Sequence, residues 1–520
     1  MFKKYDQNQQ FLLPLRLDSF VPEDHIARII NDIIDAVDIT AIESTYSEDG
    51  SPAYHPRLML KILLYGYMIN IRSSRDIQKM LSTETAFMYL AAMQHPDFRT
   101  ICRFRSTHLD SIKDIFAQIV TVCKELGMLG PGKVSIDGTK IKANASVRQS
   151  KDEKALDKEI AKIRKEIDKI LDESIEIDKE EDEKYGNSTP YEIPKELVNK
   201  RKRLEKIEAA KKKLEEEKLT KINVTDNDAK IMKHKGGNKK PSFNGQVAVD
   251  DKEQVIVAAD LVVDENDVHQ LNPMILHIWA TLGRKPTILL ADAGYFSYDN
   301  LEFLKRNGID AYIPDNFLKV EERGKSKWFR KSMFKFDEEK DCYFCPAGIL
   351  MPFTRIQKRK DKPDLKQYAC NFCPDCIFKK ACTKAENRTI SRDPREYLLD
   401  EMRGKLRTVE GKEVYLGRMY TAEPVFGQMK QNRGFREFLL RGTEKVNVEF
   451  MIMCIVHNIG KIDGFVTREG KNLKEILKNG IEGVNQFGVT TKNVVFGALN
   501  HVFGELSVKY VDLHVFMHKI

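Results

Sequence analysis

Apolar residues recur at three- and four-residue steps through HIARIINDIIDAV (25–37) and again through RLMLKILLYGYMINI (57–71). That spacing lines one face of an α-helix. Residues 1–130 therefore read as a helical N-terminal domain, uninterrupted by strand alternation. Within it, Ser74 is placed to cap a short helix over Arg75 to Met80. Pro96-Asp97 is placed to open another that carries Arg99, Thr100, Arg103 and Ser106 along roughly one face. Two such helices fit a helix-turn-helix, although a solvated basic helix of an ordinary bundle has the same pattern.

At Lys133 the texture changes to the β-rich run VSIDGTKI, interrupted by Gly138. A second domain, 131–465, begins here. Over 148–221 it is broken by a segment of which more than half is charged, yet Leu156, Ile160, Ile163, Ile167 and Ile170 keep a 4-3-4-3 spacing. This is the seam of a coiled coil, and a weaker one runs through Leu197, Leu204, Ile207 and Leu214. With YGNSTPYEIP between them, the two predict an antiparallel helical hairpin; disorder is the rival reading.

The β texture resumes in FNGQVAVD and QVIVAADLVV, joined by a polar link at Asp250 to Glu253. A helix over 268–282, the strand PTILLADAGY, a helix near 298–307 and the strand DAYIP follow. This order predicts an α/β fold with a mixed sheet. After an interruption at 320–410 come a helical stretch containing Glu423 and the apolar VEFMIMCIVHNIGKI. Residues 466–520 are the least readable.

Composition adds little to this picture. The chain is long enough, at 520 residues and 42% hydrophobic, for two or more folded units, and its net charge of +8 is a weak pointer to nucleic acid. The amino terminus lacks the apolar run of a signal peptide, and the stretch around Phe450 to Val456 reads as too short to span a bilayer. The expected location is the cytosol, without a membrane partner. Six of nine cysteines crowd into 342–382, which in a reducing compartment suggests metal rather than disulfides.

The spacing Cys342-x2-Cys345, then Cys370-x2-Cys373-x2-Cys376-x5-Cys382, suits a tetrahedral zinc site without fixing which four of the six bind. An iron–sulfur cluster, or free reduced thiols, are the alternatives. A different chemistry comes from carboxylates. Asp137 sits within the first strand, and Asp292 stands where TILLA gives way to a glycine turn, at the carboxyl end of a strand, where α/β sheets place ligands. Glu423 has Arg418 five residues before it and Lys430 seven after, a carboxylate flanked by bases. Several carboxylates from separate elements are what two magnesium ions need to promote phosphodiester chemistry. Asp250, Asp264, Asp267 and Glu437 are the other candidate carboxylates.

Tyr415-x2-Arg418-x4-Glu423-x6-Lys430 resembles the tyrosine-arginine-glutamate-lysine signature of bacterial insertion-sequence DDE transposases, and IDGTK and LADAGYFS resemble that family's two aspartate motifs. The N-terminal region is similar to the InsH-type N-terminal domain, SFNGQVAVD to the family's hairpin and NRGFREFLLRG to its continuation after the lysine. The family has three residues between arginine and glutamate where this chain has four.

The resemblance implies an RNase H-like core in which Asp137, Asp292 and Glu423 hold two Mg2+ (or Mn2+) ions, while Tyr415, Arg418 and Lys430 contact transposon-end DNA. Arg99 and Arg103 are the N-terminal candidates for DNA contact. It also favours Cys345, Cys373, Cys376 and Cys382 as ligands of a structural Zn2+, with Cys342 and Cys370 as alternatives. The implied partners are double-stranded DNA, as terminal repeats and target, and further copies of the chain on that DNA, in a bacterial cytoplasm at the nucleoid. The implied reaction is hydrolysis at the element's end followed by attack of the freed 3′-hydroxyl. A metal-dependent nuclease without strand transfer and a non-catalytic DNA-binding relic are the competing functions.

Overall fold

Helices open the chain because its apolar stripes have a helical period. The computed structural model describes residues 16–47, 52–185, 195–234, 236–318, 328–360 and 362–478, with backbone alone over 177–185. In the N-terminal region, helices Ile26–Ala36, Pro56–Met68, Ser74–Met80, Thr85–Leu90, Phe98–Thr107 and Leu109–Glu125 form a bundle. Pro56–Met68 lies at its centre, buried along nearly its whole length. Its buried basic side chain, Lys61, is satisfied by Asp35 at 2.6 Å and Asn31 at 2.8 Å.

Two details differ from the sequence expectation. Ser74 is the first helical residue rather than the cap, with Ser73 at the cap position. Helix Thr85–Leu90 also stands between Ser74–Met80 and Phe98–Thr107, so those two pack together without being joined by a single tight turn. Asp97 does cap the second, accepting from the Thr100 N–H at 2.7 Å.

The main sheet is built from β1 (Lys133–Lys142), β4 (Lys230–Lys233), β5 (Lys239–Asp250), β6 (Ile256–Val262), β7 (Ile288–Ala291) and β8 (Asp310–Tyr312), with the short pair β2 (Ser150–Lys151) and β3 (Ile222–Asn223) outside it. Its path is β4-β5-β1-β7-β8, and β6 pairs with β5. β5 runs antiparallel to β1 and β6, while β7 and β8 run parallel to β1. The apolar β7, central and buried, brings its carboxyl end beside the middle of β1 through the register Ile136↔Ala291.

Helices Glu153–Tyr185 and Lys195–Glu216 form the charged excursion, rooted on the β2–β3 pair. Ion pairs Lys211–Asp157 and Lys200–Glu166 run in opposite chain directions, so the helices are antiparallel. Leu156, Ile163, Ile167, Leu197, Ile207 and Leu214 are buried between them, with Ile160, Ile170 and Leu204 packed alongside. The Gly and Pro punctuation at 186–194 lies outside the described residues, as do 479–520 of the C-terminal segment and 1–15 of the amino terminus.

The cysteine-rich stretch folds as a second, antiparallel sheet: β9 (Lys335–Asp337), β10 (Cys342–Phe344), β11 (Leu350–Gln357), β12 (Leu365–Ala369) and β13 (Thr389–Arg392), in the order β13-β12-β11-β10-β9. It has a core of its own, where Phe334, Tyr343, Met351, Tyr368 and Ile390 pack beside buried cysteines. Helix Glu396–Arg407, which the sequence reading put inside this interruption, instead buries Leu398, Met402 and Leu406 in the main core.

The last described long helix, Thr443–Glu469, corrects one expectation. By length and composition it is long and apolar enough to cross a membrane. Its apolar residues are core residues, however, since Phe450–Val456 are all buried and the helix packs on β6 and on the N-terminal helices. Asn458 fixes it by bonding both the N–H and the C=O of Ile256, each at 2.9 Å. Gly245 of β5 allows Phe450 close approach; a Cβ there would lie 2.6 Å from the ring.

Candidate active site

Three chain segments converge at the carboxyl end of β7. Asp137 lies mid-strand in β1, opposite Val247 of β5. Asp292 follows β7 and caps the turn Ala293–Tyr295, accepting from the Gly294 N–H at 2.8 Å. Glu423 projects from helix Arg418–Gly427, which packs on β1 and is tied to it by Ser135 and Thr421, hydroxyl to hydroxyl at 2.5 Å.

Arg418 joins two of these carboxylates. Its Nη1 lies 3.3 Å from Asp137 Oδ2 and its Nη2 2.9 Å from Glu423 Oε1. The extra residue between arginine and glutamate thus leaves the guanidinium inside the carboxylate cluster. Burial pushes Asp137 up to about 7; Arg418 pulls it down, and the neighbouring Asp292 and Asp267 carboxylates add to the rise. Crowded carboxylates repel unless a cation stands among them. In this structure Arg418 is that cation.

Asp267, one of the four other candidate carboxylates, also reaches this cluster. Its Oδ1 accepts from Asn244 Nδ2 and Gln246 Nε2 at 2.7 Å each, and the Tyr295 hydroxyl donates to Gln246 Oε1. Burial, together with Asp267, Asp137 and Asp292, holds the Tyr295 hydroxyl well above its ordinary range. Two glycines admit Asp267: a Cβ on Gly138 would meet its Oδ1 at 2.5 Å, and one on Gly294 would meet its Oδ2 at 3.3 Å. The paired Asp-Gly and Asp-Ala-Gly steps were the signal, since each aspartate is followed by a place with no side chain. Gly138 accordingly does not interrupt β1; it stays in register opposite Gln246.

The other candidate carboxylates have local duties. Asp250 accepts from the Gly130 and Lys252 N–H groups, Asp264 Oδ2 from Gln270, and Glu437 pairs with Lys142 at 2.9 Å. Lys430 docks on β1, bonding Thr139 Oγ1 and the Lys140 carbonyl at 2.9 Å. A π-helical turn, Gln428–Asn432, carries it there, so its seven-residue spacing from Glu423 does not lie on one regular helix. Tyr415 is partly buried beside Arg418, its hydroxyl raised chiefly by desolvation. Arg99 and Arg103 are exposed on helix Phe98–Thr107, remote in sequence from this cluster.

Five of the six clustered cysteines, Cys345, Cys370, Cys373, Cys376 and Cys382, line one small space of about 20 Å3, room on the scale of one water or ion. Cys342 lies in β10 outside it. Burial raises the Cys382 thiol, as do Cys373, Cys345 and Cys376, while Arg388 opposes the rise. Among the described residues, no three His, Cys, Asp or Glu side chains close on a point as a ready-made metal site, at the carboxylates or at the thiols. The donor sets nonetheless fit their metals in kind, hard oxygens in one and soft sulfurs in the other.

A partly buried strand aspartate, a strand-end aspartate and a helix glutamate gathered on a mixed sheet define a carboxylate-centred α/β protein. Residues 344–463 match the family described as transposase DDE domain, and residues 15–107 match the transposase domain family DUF772. Together these support a DDE transposase of the insertion-sequence type, a DNA-cleaving transposase enzyme. The first match includes Glu423 and the cysteines from Cys345 to Cys382; Cys342, Asp137 and Asp292 fall between the two. No curated protein and no solved structure matches the chain.

Proposed function

We propose that this chain binds the ends of its element, hydrolyses phosphodiesters there and transfers the freed 3′-hydroxyl end to target DNA. The observation that carries the proposal is the meeting of Asp137, Asp292 and Glu423, distant in sequence, around Arg418. Asp137, Asp292 and Glu423 would hold two Mg2+ or Mn2+ ions, which when bound supply charge neutralisation at the phosphate and an activated nucleophile. Arg418, freed from Glu423, has the planar donors to receive a phosphate oxygen. Tyr415 beside Arg418, and Lys430 at Thr139 on the strand of Asp137, would contact the same backbone, while Arg99 and Arg103 extend DNA contact to the N-terminal helices.

The sheet order supports an RNase H-like core, because β6, β5 and β1 form an antiparallel meander to which β7 and β8 add in parallel. The buried seam between helices Glu153–Tyr185 and Lys195–Glu216 supports a coiled-coil arm. The thiol-lined space supports a structural Zn2+ held by Cys345, Cys373, Cys376 and Cys382, with Cys370 as the alternative. The assembly on DNA is a homodimer or larger, in the cytoplasm. Incubating the protein with DNA carrying the element's own ends and magnesium should yield nicks at those ends and joints to target. The absence of any specific nick would sink this reading.

A further inference from the structure

Between the end of helix Pro56–Met68, the turn Gln428–Asn432 and helix Thr443–Glu469 lies an open cleft of about 490 Å3. Met68, Arg433, His457, Lys461 and Arg468 are among the residues lining it. Of the cations, Arg468 is matched by Glu253 at 2.8 Å and by Glu469 at 3.3 Å. Among the described residues, Lys461 bonds only the neutral Gln254 Oε1, at 2.7 Å. Arg433 places Nη2 3.4 Å from the Met68 sulfur, while its Nη1 is buried without a hydrogen-bond partner. Neither Arg433 nor Lys461 has a carboxylate within ion-pair reach among the described residues.

A guanidinium withdrawn from water without an anion is costly and persists where something repays the cost. Burial weakens the hold of both Arg433 and Lys461 on their protons; at Lys461 the Glu253 carboxylate on the cleft wall opposes the fall, while Arg433 and Arg468 add to it. His457 adds a polar atom: its Nε2 bonds the Gln254 carbonyl at 2.9 Å, leaving Nδ1 buried and unpartnered. With Nε2–H donating, Nδ1 is an acceptor, suited to the hydroxyl of a hydrogen phosphate or to a water beneath a phosphodiester.

We propose that this cleft is a phosphate-binding site, separate from the carboxylate cluster, in which Arg433 and Lys461 receive a backbone phosphate of bound DNA. The choice of DNA rests on the function proposed above; the phosphate chemistry does not. Openness favours a group passing across the surface over an enclosed free ion. The turn Gln428–Asn432 holds Lys430 against β1, and Arg433 follows it directly into the cleft. A phosphate seated there therefore bears on the turn that positions Lys430 beside the strand of Asp137.

The test uses the full chain and three variants, Arg433→Gln, Arg433→Lys and Lys461→Gln, in two measurements that require no cleavage. In the first, affinity for duplex DNA is followed against salt. Each lost phosphate contact should flatten the slope of log K on log salt by about 0.9, in Arg433→Gln and in Lys461→Gln, with Arg433→Lys close to the parent. In the second, inorganic phosphate is titrated and followed by 31P line broadening. Phosphate binding lost in Arg433→Gln with an unchanged DNA slope would support the site and assign it to a free phosphate. Unchanged DNA slopes together with unchanged phosphate binding would overturn it. Should Arg433→Gln fail to fold by circular dichroism, Lys461→Gln alone decides, by the same two readouts. A chain that bound phosphate here yet nicked no DNA would retain the site and lose the proposed reaction.

Discussion

Replacing Glu423 with Gln separates what the carboxylate does for the fold from what it does for chemistry. Glu423 is 47% exposed, and its ion pair to Arg418 at 2.9 Å is therefore largely screened. Such a pair is worth about 0–1 kcal/mol, which moves a melting temperature by no more than about 2–4 °C. Catalysis stands differently. A ligand carboxylate helps hold ions whose charge stabilisation is worth several kcal/mol; losing about 4 kcal/mol of it slows cleavage roughly a thousandfold. Glu437→Gln is the matched control, since Glu437 is 43% exposed and pairs with Lys142 at 2.9 Å. Both variants should melt close to the parent and bind end DNA, and only Glu423→Gln should lose nicking in magnesium. Near-normal nicking by Glu423→Gln with loss in Glu437→Gln would refute the assignment. A melting temperature lowered by ten degrees or more in Glu423→Gln would refute the energetic reasoning.

Gly245→Ala should lower stability by about 1–3 kcal/mol through overpacking, because its Cβ would stand 2.6 and 2.7 Å from two ring carbons of the buried Phe450; an unchanged denaturation midpoint would show that the helix shifts freely. Elemental analysis should find about one zinc per chain in the parent and in Cys342→Ser, and none in the double variant Cys373→Ser, Cys376→Ser; zinc retained by the double variant would move the site elsewhere. Burial pushes His457 down to about 3, with Arg433 and Lys461 adding to the fall and its bond to the Gln254 carbonyl opposing it. The unfolded chain takes up that proton near pH 6.5, so the contribution is present above that pH and is lost as pH falls toward 3. Lowering pH from 6.5 to 5 should cost about 2 kcal/mol from this group. Parallel melting curves for the parent and His457→Gln across that range would contradict this.

Period and punctuation made much of the architecture legible. The 4-3-4-3 spacing from Leu156 marks residues that are buried or half-buried between the paired helices, and the runs of β5, β6 and β7 show in the alternation and apolarity of their own residues. What could not be read is whatever depends on distant segments meeting. Asp267 has no motif of its own; its position at the site arises from Asn244 and Gln246 on β5 and from two glycines beside other aspartates. Helix Glu396–Arg407 is polar enough to pass for part of an insertion, and only its three buried apolar residues, packed on the main core, say otherwise. The apolarity of Thr443–Glu469 has the opposite cause: it is covered by N-terminal helices encoded more than 300 residues earlier.

That covering has a consequence during synthesis. Strand β6 is complete at Val262, but the helix that packs both on it and on most of the N-terminal bundle ends at Glu469, about 200 residues later. At about 5–20 residues per second the ribosome needs roughly 10–40 s to cross that interval. Throughout it, the N-terminal bundle and the young sheet have been made without the element that spans them, and their apolar faces await it. Glu423 emerges only near the end of the same interval. A nascent chain therefore presents a chaperone with exposed core for most of its translation, and its third carboxylate is made shortly before the helix that closes that core.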